Sequence, residues 1–317
     1  MYKKDTLFDV VGFGLNSIDH LCIVESYPPI DSKQEILKFS RQGGGQVATA
    51  MVALARWGVK VKYVGKVGND AYGKLVLEEL KNEGIDIKSV KIEKTATTQF
   101  AYIIIEKKGA KRTIFWHRDK KLLYKKGELK EEEICSGKLL HLDGHDIDAS
   151  IVAARWAKRS KIPTILDADK VEKKTYELVP LIDYLITSER FPIRFTGKDK
   201  FNNALIELSR IHKGLVVSTL GEKGAAFIKD KKEMIIIPGF KIKAIDTTGA
   251  GDVFHAGFIY GLLKGWDIID IIRFSNFVAA NKCKEIGGRA GIPSKKIIER
   301  FSKRVSGNRA DILEETR

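Results

Sequence analysis

Residues Asp246 to Asp252 read DTTGAGD and run directly into VFHAGFIYGLL. From Ala250 to Leu263, small and apolar residues recur at helical spacing through Val253, Phe254, Ala256, Gly257, Tyr260 and Gly261, which predicts a helix beginning at Gly249, Ala250 and Gly251. Amides at a helix start have no intrahelical acceptor, the helix dipole is positive there, and residues this small let an anion reach the backbone. Asp252 stands beside that anion site. A carboxylate repels a phosphate but can take the proton from a hydroxyl that attacks one. The string therefore predicts a kinase, with Asp252 as general base and Gly249, Ala250 and Gly251 stabilising charge on the transferring group. An Asp that merely caps a helix is the competing reading of so short a motif.

Outward from this string, strands and helices alternate. Phe8 to Phe13 (FDVVGF) is a short apolar run ending in Gly14 and predicts a buried central strand. Helix Gln46 to Trp57 leads to strand VKYVGKV, helix Ala71 to Glu83 to IDIKSVKI, and helix Ala149 to Arg159 to PTILDAD; DYLIT, helix Phe201 to Ile211 and GLVVSTL continue the order. This pattern predicts a mostly parallel sheet between helices, with ligands at the carboxyl ends of its strands. Two stretches interrupt it, 18–39 and 99–116. In the second, QFAYIIIE and RTIFWH flank KKGAK, which is a hairpin signal.

The 317 residues carry no linker, repeat or low-complexity tract, so residues 1–302 are expected to form a single α/β domain, followed by a polar tail, 303–317. The 56 lysines and arginines exceed the 41 aspartates and glutamates by 15, but the excess is dispersed. No basic stripe with interleaved aromatics argues for nucleic acid, and no apolar run is long enough for a membrane span or leader. Cys22, Cys135 and Cys283 are widely separated, in no metal spacing, and fit a reducing compartment, so a cytoplasmic protein is expected. No GxxxxGK[ST] is present. Gly12 and Gly14 give a partial dinucleotide fingerprint, but Ser17 replaces its last glycine. His20, His141, His212 and His255 show no i,i+4 pairing and read as core or surface residues.

DTTGAGDVFHAGF resembles the C-terminal signature of the ribokinase-like (PfkB) carbohydrate kinases. GGGQVATAMVALARWG, Gly43 to Gly58, is similar to their N-terminal signature, and VGKVGNDAYGKLVLEELKNEGID, Val64 to Asp86, to the segment that follows it. The resemblance covers about Phe8 to Pro293. GGGQVATA, DTTGAGDVFH, KCKEIGGRAGIP and RTIFWHRDKKL are most similar to sulfofructose-kinase and ketohexokinase-like members. It implies a three-layer α/β/α sandwich with a small β lid, a sugar and ATP as substrates, Mg²⁺, and a homodimer formed through the lid. It also places Asp19 as the sugar-binding aspartate and Thr219 to Gly224 (TLGEKG), with Gly221 among them, at the nucleotide. Asn276 and Ala279 fall at the adenine pocket. Asp246, Thr248, Gly287 and Gly288 map to the loop that holds a monovalent cation, K⁺, in many members.

Gly43, Gly44 and Gly45 permit close backbone approach to a sugar. Lys33, His117, Arg118 and His145 are candidate contacts from the lid and nearby loops. Two departures bear on substrate. Ala48 stands where the family's GGxxxN motif has a sugar-binding asparagine, with Gln46 two residues earlier. Thr187, Ser188, Glu189 and Arg190 stand at the family's NxxE motif, so no protein ligand to Mg²⁺ is assigned, and Glu189 is the nearest substitute. A small sugar, a ketose or related polyol, is the expected acceptor. A nucleoside kinase and a non-catalytic sugar sensor are the alternatives.

Overall fold

Phe8–Phe13 forms β1, and Val10, Val11 and Phe13 along it are at most 1% exposed, as a strand covered on both faces requires. The structure, a computed structural model, describes residues 6–109 and 111–307. After β1 come β2 (Ser17–Val24), β3 (Lys38–Gly44), α1 (Gln46–Arg56), β4 (Val61–Val64), β5 (Lys66–Gly68), α2 (Ala71–Asn82), β6 (Lys91–Glu93), β7 (Phe100–Glu106) and β8 (Arg112–His117). The middle of the chain gives α3 (Glu131–Ile134), β9 (Gly137–Leu142), α4 (Ile147–Arg159), β10 (Thr164–Ala168), α5 (Thr175–Leu178), β11 (Tyr184–Ser188), α6 (Arg190–Thr196) and α7 (Phe201–Ile211). It ends with β12 (Leu215–Thr219), β13 (Ala225–Lys229), β14 (Glu233–Ile237), α8 (Ala250–Leu263), α9 (Ile268–Lys282) and α10 (Lys295–Gly307).

Eight strands form the main sheet in the order β14-β13-β12-β11-β10-β9-β1-β4. All pairings from β12 to β4 are parallel, and β13 runs antiparallel to both neighbours. Two apolar cores flank the sheet. One gathers Met51 and Leu54 of α1, Leu80 of α2, Phe254 and Phe258 of α8 and Phe274 of α9. The other gathers Ala153 of α4, Phe191 of α6 and Leu205 and Leu208 of α7. Val10 belongs to the first core and Val11 to the second, so alternate residues of one strand serve opposite layers. This is the expected α/β/α sandwich.

Both interrupting stretches join one second sheet, ordered β3-β2-β7-β8, rather than extending the edge of the first. Its inward face buries Leu21, Ala101, Ile103 and Ile105. On its outward face His20 stacks with Tyr102 (4.8 Å) and Phe39 (6.0 Å). Register pairs Arg112 with Ile105 and Trp116 with Ala101, which puts both side chains on the inward face. Arg112 Nη1 donates to Thr247 Oγ1 at 2.5 Å, and Lys170 Nζ lies 5.0 Å from the Trp116 ring. The sheet is thereby pinned over the loops that follow β10 and precede α8.

Some boundaries differ from the sequence reading. IDIKSVKI is strand only at its end, where β6 pairs with β5, because Asp86, Lys88 and Ser89 do not supply the alternation a longer strand needs. Residues 303–307 of the expected tail continue α10, and 308–317 lie outside the described residues. Among the described residues no helix is long and apolar enough to cross a membrane.

The entry to α1 depends on Gly45, whose φ is +89° and whose absent Cβ would meet Asn16 Cα at 2.5 Å. Gly45→Ala is expected to destabilise the protein by about 1–3 kcal/mol, read as a lower urea midpoint at unchanged slope. An unchanged midpoint would show that the β3–α1 turn tolerates a side chain.

Candidate active site

Asp246, 0% exposed, fixes the loop ahead of α8: one carboxylate oxygen accepts from Thr248 N (2.8 Å) and Thr248 Oγ1 (2.7 Å), the other from Gly287 N (2.6 Å). Gly249, the N-cap of α8, has φ +76°, and its missing Cβ would meet Gly288 Cα at 2.6 Å. The two loops thus meet where position 249 cannot carry a side chain. The Ala250 amide turns back onto the Thr247 carbonyl (3.2 Å), a departure from the expectation that it joins the anion site. The amides of Gly249, Gly251 and Asp252 have no hydrogen-bond acceptor among the described residues. They are the orphan donors of a helix start.

Asp252 is half-buried at this start, and loss of solvation pushes its carboxyl up to about 7. The charges of Asp167 and Asp19 raise it further, while His255 and Arg112 oppose them. Three carboxylates from α8, β10 and β2 therefore share one neighbourhood. Burial raises Asp167 to about 8, reinforced by Asp143 and Asp169, and raises Asp19 to about 6 against the hydrogen bond from Ser17 Oγ at 2.8 Å.

Asp167, at the carboxyl end of β10, was not singled out in the sequence; its only signal was its place in LDAD at the end of a parallel strand. Gln46 Nε2 donates to it at 3.0 Å, and Gln46 Oε1 then accepts from His145 Nε2 at 2.6 Å. That orientation fixes His145 with its proton on Nε2. Burial holds His145 below the ordinary histidine range. On the other side, His255 Nε2 lies 3.7 Å from Asp167 Oδ1 while its Nδ1 bonds the Gly251 carbonyl at 2.7 Å. A polar chain runs from His145 through Gln46 and Asp167 to His255 and the start of α8.

The close approaches that Gly43, Gly44 and Gly45 permit are made by the protein itself. A Cβ on Gly43 would strike Arg289 Nη1 at 2.0 Å, one on Gly44 would strike Asp19 Oδ2 at 2.0 Å, and one on Gly45 would strike Asn16 and Leu15. Buried Arg289 ties this turn by donating to Gly44 O (3.0 Å) and Glu79 Oε2 (3.0 Å). Ala48 is fully buried in the core packing of α1, whereas Gln46 and, through it, His145 reach Asp167. Of the other candidates, Lys33 and His117 are exposed. Arg118 lines a hollow of about 320 Å³ with Asn16, Lys66, Gln99 and Asp146. A second hollow, of about 490 Å³ with its mouth, is lined by Asp143, His145, Asp167, Asp169 and Lys170. Neither wall includes Asp19 or Asp252; Asp167, on the wall of the second, is the charge that acts most on Asp252.

On the far side of α8, Thr219 ends β12 with its Oγ1 on the Thr187 carbonyl (3.2 Å), and Gly221 and Gly224 both take positive φ in the turn to β13. Asn276 does not present a free amide: its Nδ2 holds the carbonyls of Ile237 (3.0 Å) and Pro238 (3.1 Å), making it a brace for the wall after β14. Ala279, one turn on, is partly open. Thr187 Oγ1 is buried without a hydrogen-bond partner among the described residues, and Glu189 and Arg190 are exposed beside it. Among the described residues no cluster of three or more His, Cys, Asp or Glu side chains can hold a metal ion.

Comparison with known proteins agrees with this fold. Residues 8–295 match the family described as pfkB family carbohydrate kinase. A 5-dehydro-2-deoxygluconokinase of Clostridium botulinum is 28% identical over 333 residues, 95% of each chain. A ribokinase of Haemophilus influenzae is 30% identical over 263 residues, 80% of this chain and 85% of that one. The crystal structure of a putative ribokinase from Agrobacterium tumefaciens superimposes with a TM-score of 0.86 at 25% identity, covering 95% of this chain and 99% of that one.

The raised carboxyl of Asp167 fixes a sign. Folding holds its proton more tightly than the unfolded chain does, so the associated stability is present below the ordinary carboxylate range and lost as pH rises through about 8. Asp167→Asn removes this dependence. Its Tm relative to wild type is expected to improve by about 2 °C or more between pH 4.5 and 8.5, and parallel Tm curves would show that Asp167 titrates normally.

Proposed function

Because the chain belongs to the pfkB family of carbohydrate kinases, we propose that it transfers the γ-phosphoryl group of ATP to a hydroxyl of a small sugar, a ketose or related polyol. The observation that carries this reading is the meeting of Asp252, with its carboxyl near 7, and the free amides at the start of α8. The acceptor hydroxyl passes its proton to Asp252 while its oxygen attacks the γ-phosphorus. The bond from that phosphorus to the β–γ bridging oxygen breaks, and ADP leaves. The amides of Gly249, Gly251 and Asp252 face the charge on the moving group, and Arg112 adds a cation from the lid.

Asp19 accepts hydrogen bonds from the sugar hydroxyls, beside the turn Gly43, Gly44 and Gly45. Gln46, His145 and Asp167 supply the polar contacts that Ala48 cannot. Trp116 closes over the sugar, which excludes water from the γ-phosphoryl group. Relatives are named for a keto-deoxy sugar acid and for ribose, which agrees with a small polyhydroxylated acceptor. Thr219, Gly221, Gly224 and Ala279 border the nucleotide. Mg²⁺ enters with the ATP phosphates, as an ion that keeps its waters and leans on phosphate oxygens rather than on a protein cage. The outward lid face with Phe39, Tyr102 and Phe115, each about half exposed, would pair two copies in a homodimer. Three free cysteines suit a cytoplasmic setting.

Asp252→Asn should lower kcat by roughly 10²-fold or more with ATP affinity nearly unchanged, measured by coupled ADP release and calorimetry. A variant turning over near the wild-type rate would remove Asp252 from the role of base. In the wild type the base works only when deprotonated, so kcat/KM should rise with pH to a plateau above about 7. The acceptor is to be found by screening ketoses, aldoses, sugar acids and nucleosides for ADP release.

A further inference from the structure

Lys282, the last residue of α9, is 0% exposed. Its ammonium donates to the backbone carbonyl of Asp246 at 3.0 Å, its one hydrogen-bond acceptor among the described residues. A buried ammonium with a single neutral acceptor is costly, so its charge needs an account. The account is in its surroundings. Asp246 opens the DTTGAGD loop, the amides of Ile245 and Asp246 both turn to the Cys283 carbonyl (2.8 and 3.3 Å), and the Asp246 side chain clasps Thr248 and Gly287. The loop that offers the free amides is thus seated on the carboxyl end of α9, with the ammonium beneath it. Burial pulls the Lys282 ammonium below the usual lysine range, and the charges of Asp246 and Asp252 oppose that by favouring the charged form. A cation at the end of a helix also answers the negative pole of its dipole.

We infer that the Lys282 ammonium is a built-in monovalent cation for the anion loop, held by covalent attachment on the Asp246 carbonyl, in the loop to which the family resemblance assigns a K⁺ in many members. The inference rests on the kinase reading. Lys282 acts as a positioning residue: it touches neither substrate nor the transferring group, and it holds the Asp246 carbonyl while adding positive charge behind the amides. Phosphoryl transfer in this protein consequently requires no K⁺. The residues around Asp246, Thr248 and Gly287 do not fit a resident K⁺, because the carbonyl an ion would need is already held by an ammonium and the Asp246 carboxylate is fully used by backbone and Thr248 donors.

The test compares the full chain in KCl, NH₄Cl, NaCl and tetramethylammonium chloride at equal ionic strength, reading ADP release and, separately, ATP affinity by calorimetry. Wild type is expected to show the same rate and affinity, within about twofold, in KCl and tetramethylammonium chloride. Lys282→Ala is expected to lose roughly 10²-fold in kcat/KM in tetramethylammonium chloride and to regain about tenfold or more in KCl or NH₄Cl. Wild type stimulated about tenfold or more by KCl would overturn the inference. So would a folded Lys282→Ala, with Tm near wild type, whose activity is unaffected or is equally lost in every salt. Where that variant does not fold, the wild-type comparison decides alone. ATP binding without turnover on any acceptor would instead sink the kinase reading, and the salt series on ATP affinity would still judge Lys282.

Discussion

The site depends on one buried carboxylate that takes no part in the chemistry. Asp246 uses both oxygens on its own loop and on Gly287, which forces the stretch before α8 into a single conformation. That conformation leaves the amides of Gly249, Gly251 and Asp252 without an acceptor among the described residues, and it requires glycine at 249, where the chain takes φ +76° against Gly288. Donors fixed in advance need no rearrangement when charge develops on a transferring group, which is where such sites gain most of their advantage. The Lys282 ammonium acts on the same hinge from below. In the proposed reaction the first aspartate of the motif shapes the loop that offers the amides, and the last supplies the base.

The acidic centre and the basic lid form one electrostatic design. Asp19, Asp167 and Asp252 come from three elements far apart in sequence, and each carboxyl is lifted because water is excluded and its neighbours carry like charge. The cations that face them stand on loops and on the second sheet: Arg112 against Thr247, and Lys170 against Trp116. Movement of that sheet would change the charge felt at Asp252, since Arg112 is among the groups that lower its pKa. A lid of this kind does more than cover the cleft. In the proposed reaction it also adjusts the base.

Much of this was legible in the residues, and the parts that were not share a cause. DTTGAGD announced a glycine turn before a helix and a carboxylate at its mouth, and α8 spans the expected residues from Ala250 to Leu263. The buried strand Phe8–Phe13 was equally plain, because its apolar run has no other use. Local patterns could not reveal which groups meet across the sheet. Asp167 is one aspartate in LDAD until β10 brings it to Gln46 and His255. Lys282 reads as a solvated helix residue, and only the loop packed over it shows that it is enclosed. Gly43 and Gly44 suggested room for a sugar, yet the space is filled by Arg289 and Asp19. Asn276 suggested an adenine contact, but its amide is committed to two carbonyls.

The clustering of carboxylates raises the question of how an anion such as ATP could approach them. Groups with carboxyls near 6, 7 and 8 within mutual reach cannot all be ionised at neutral pH; they titrate as a set and share protons. The centre is therefore less negative than its formula, and its members differ in kind. Asp19, the lowest, is the most ionised and suits acceptance of hydrogen bonds from hydroxyls. Asp167, the highest, keeps its proton and can donate, with the Nε2 of His255 at 3.7 Å as a neighbouring lone pair while Nδ1 is engaged by Gly251. Asp252, between them, is poised to change state near pH 7, as a general base must. Burial lifts all three and their different neighbours separate them, so the same side chains on an open surface would be equivalent anions.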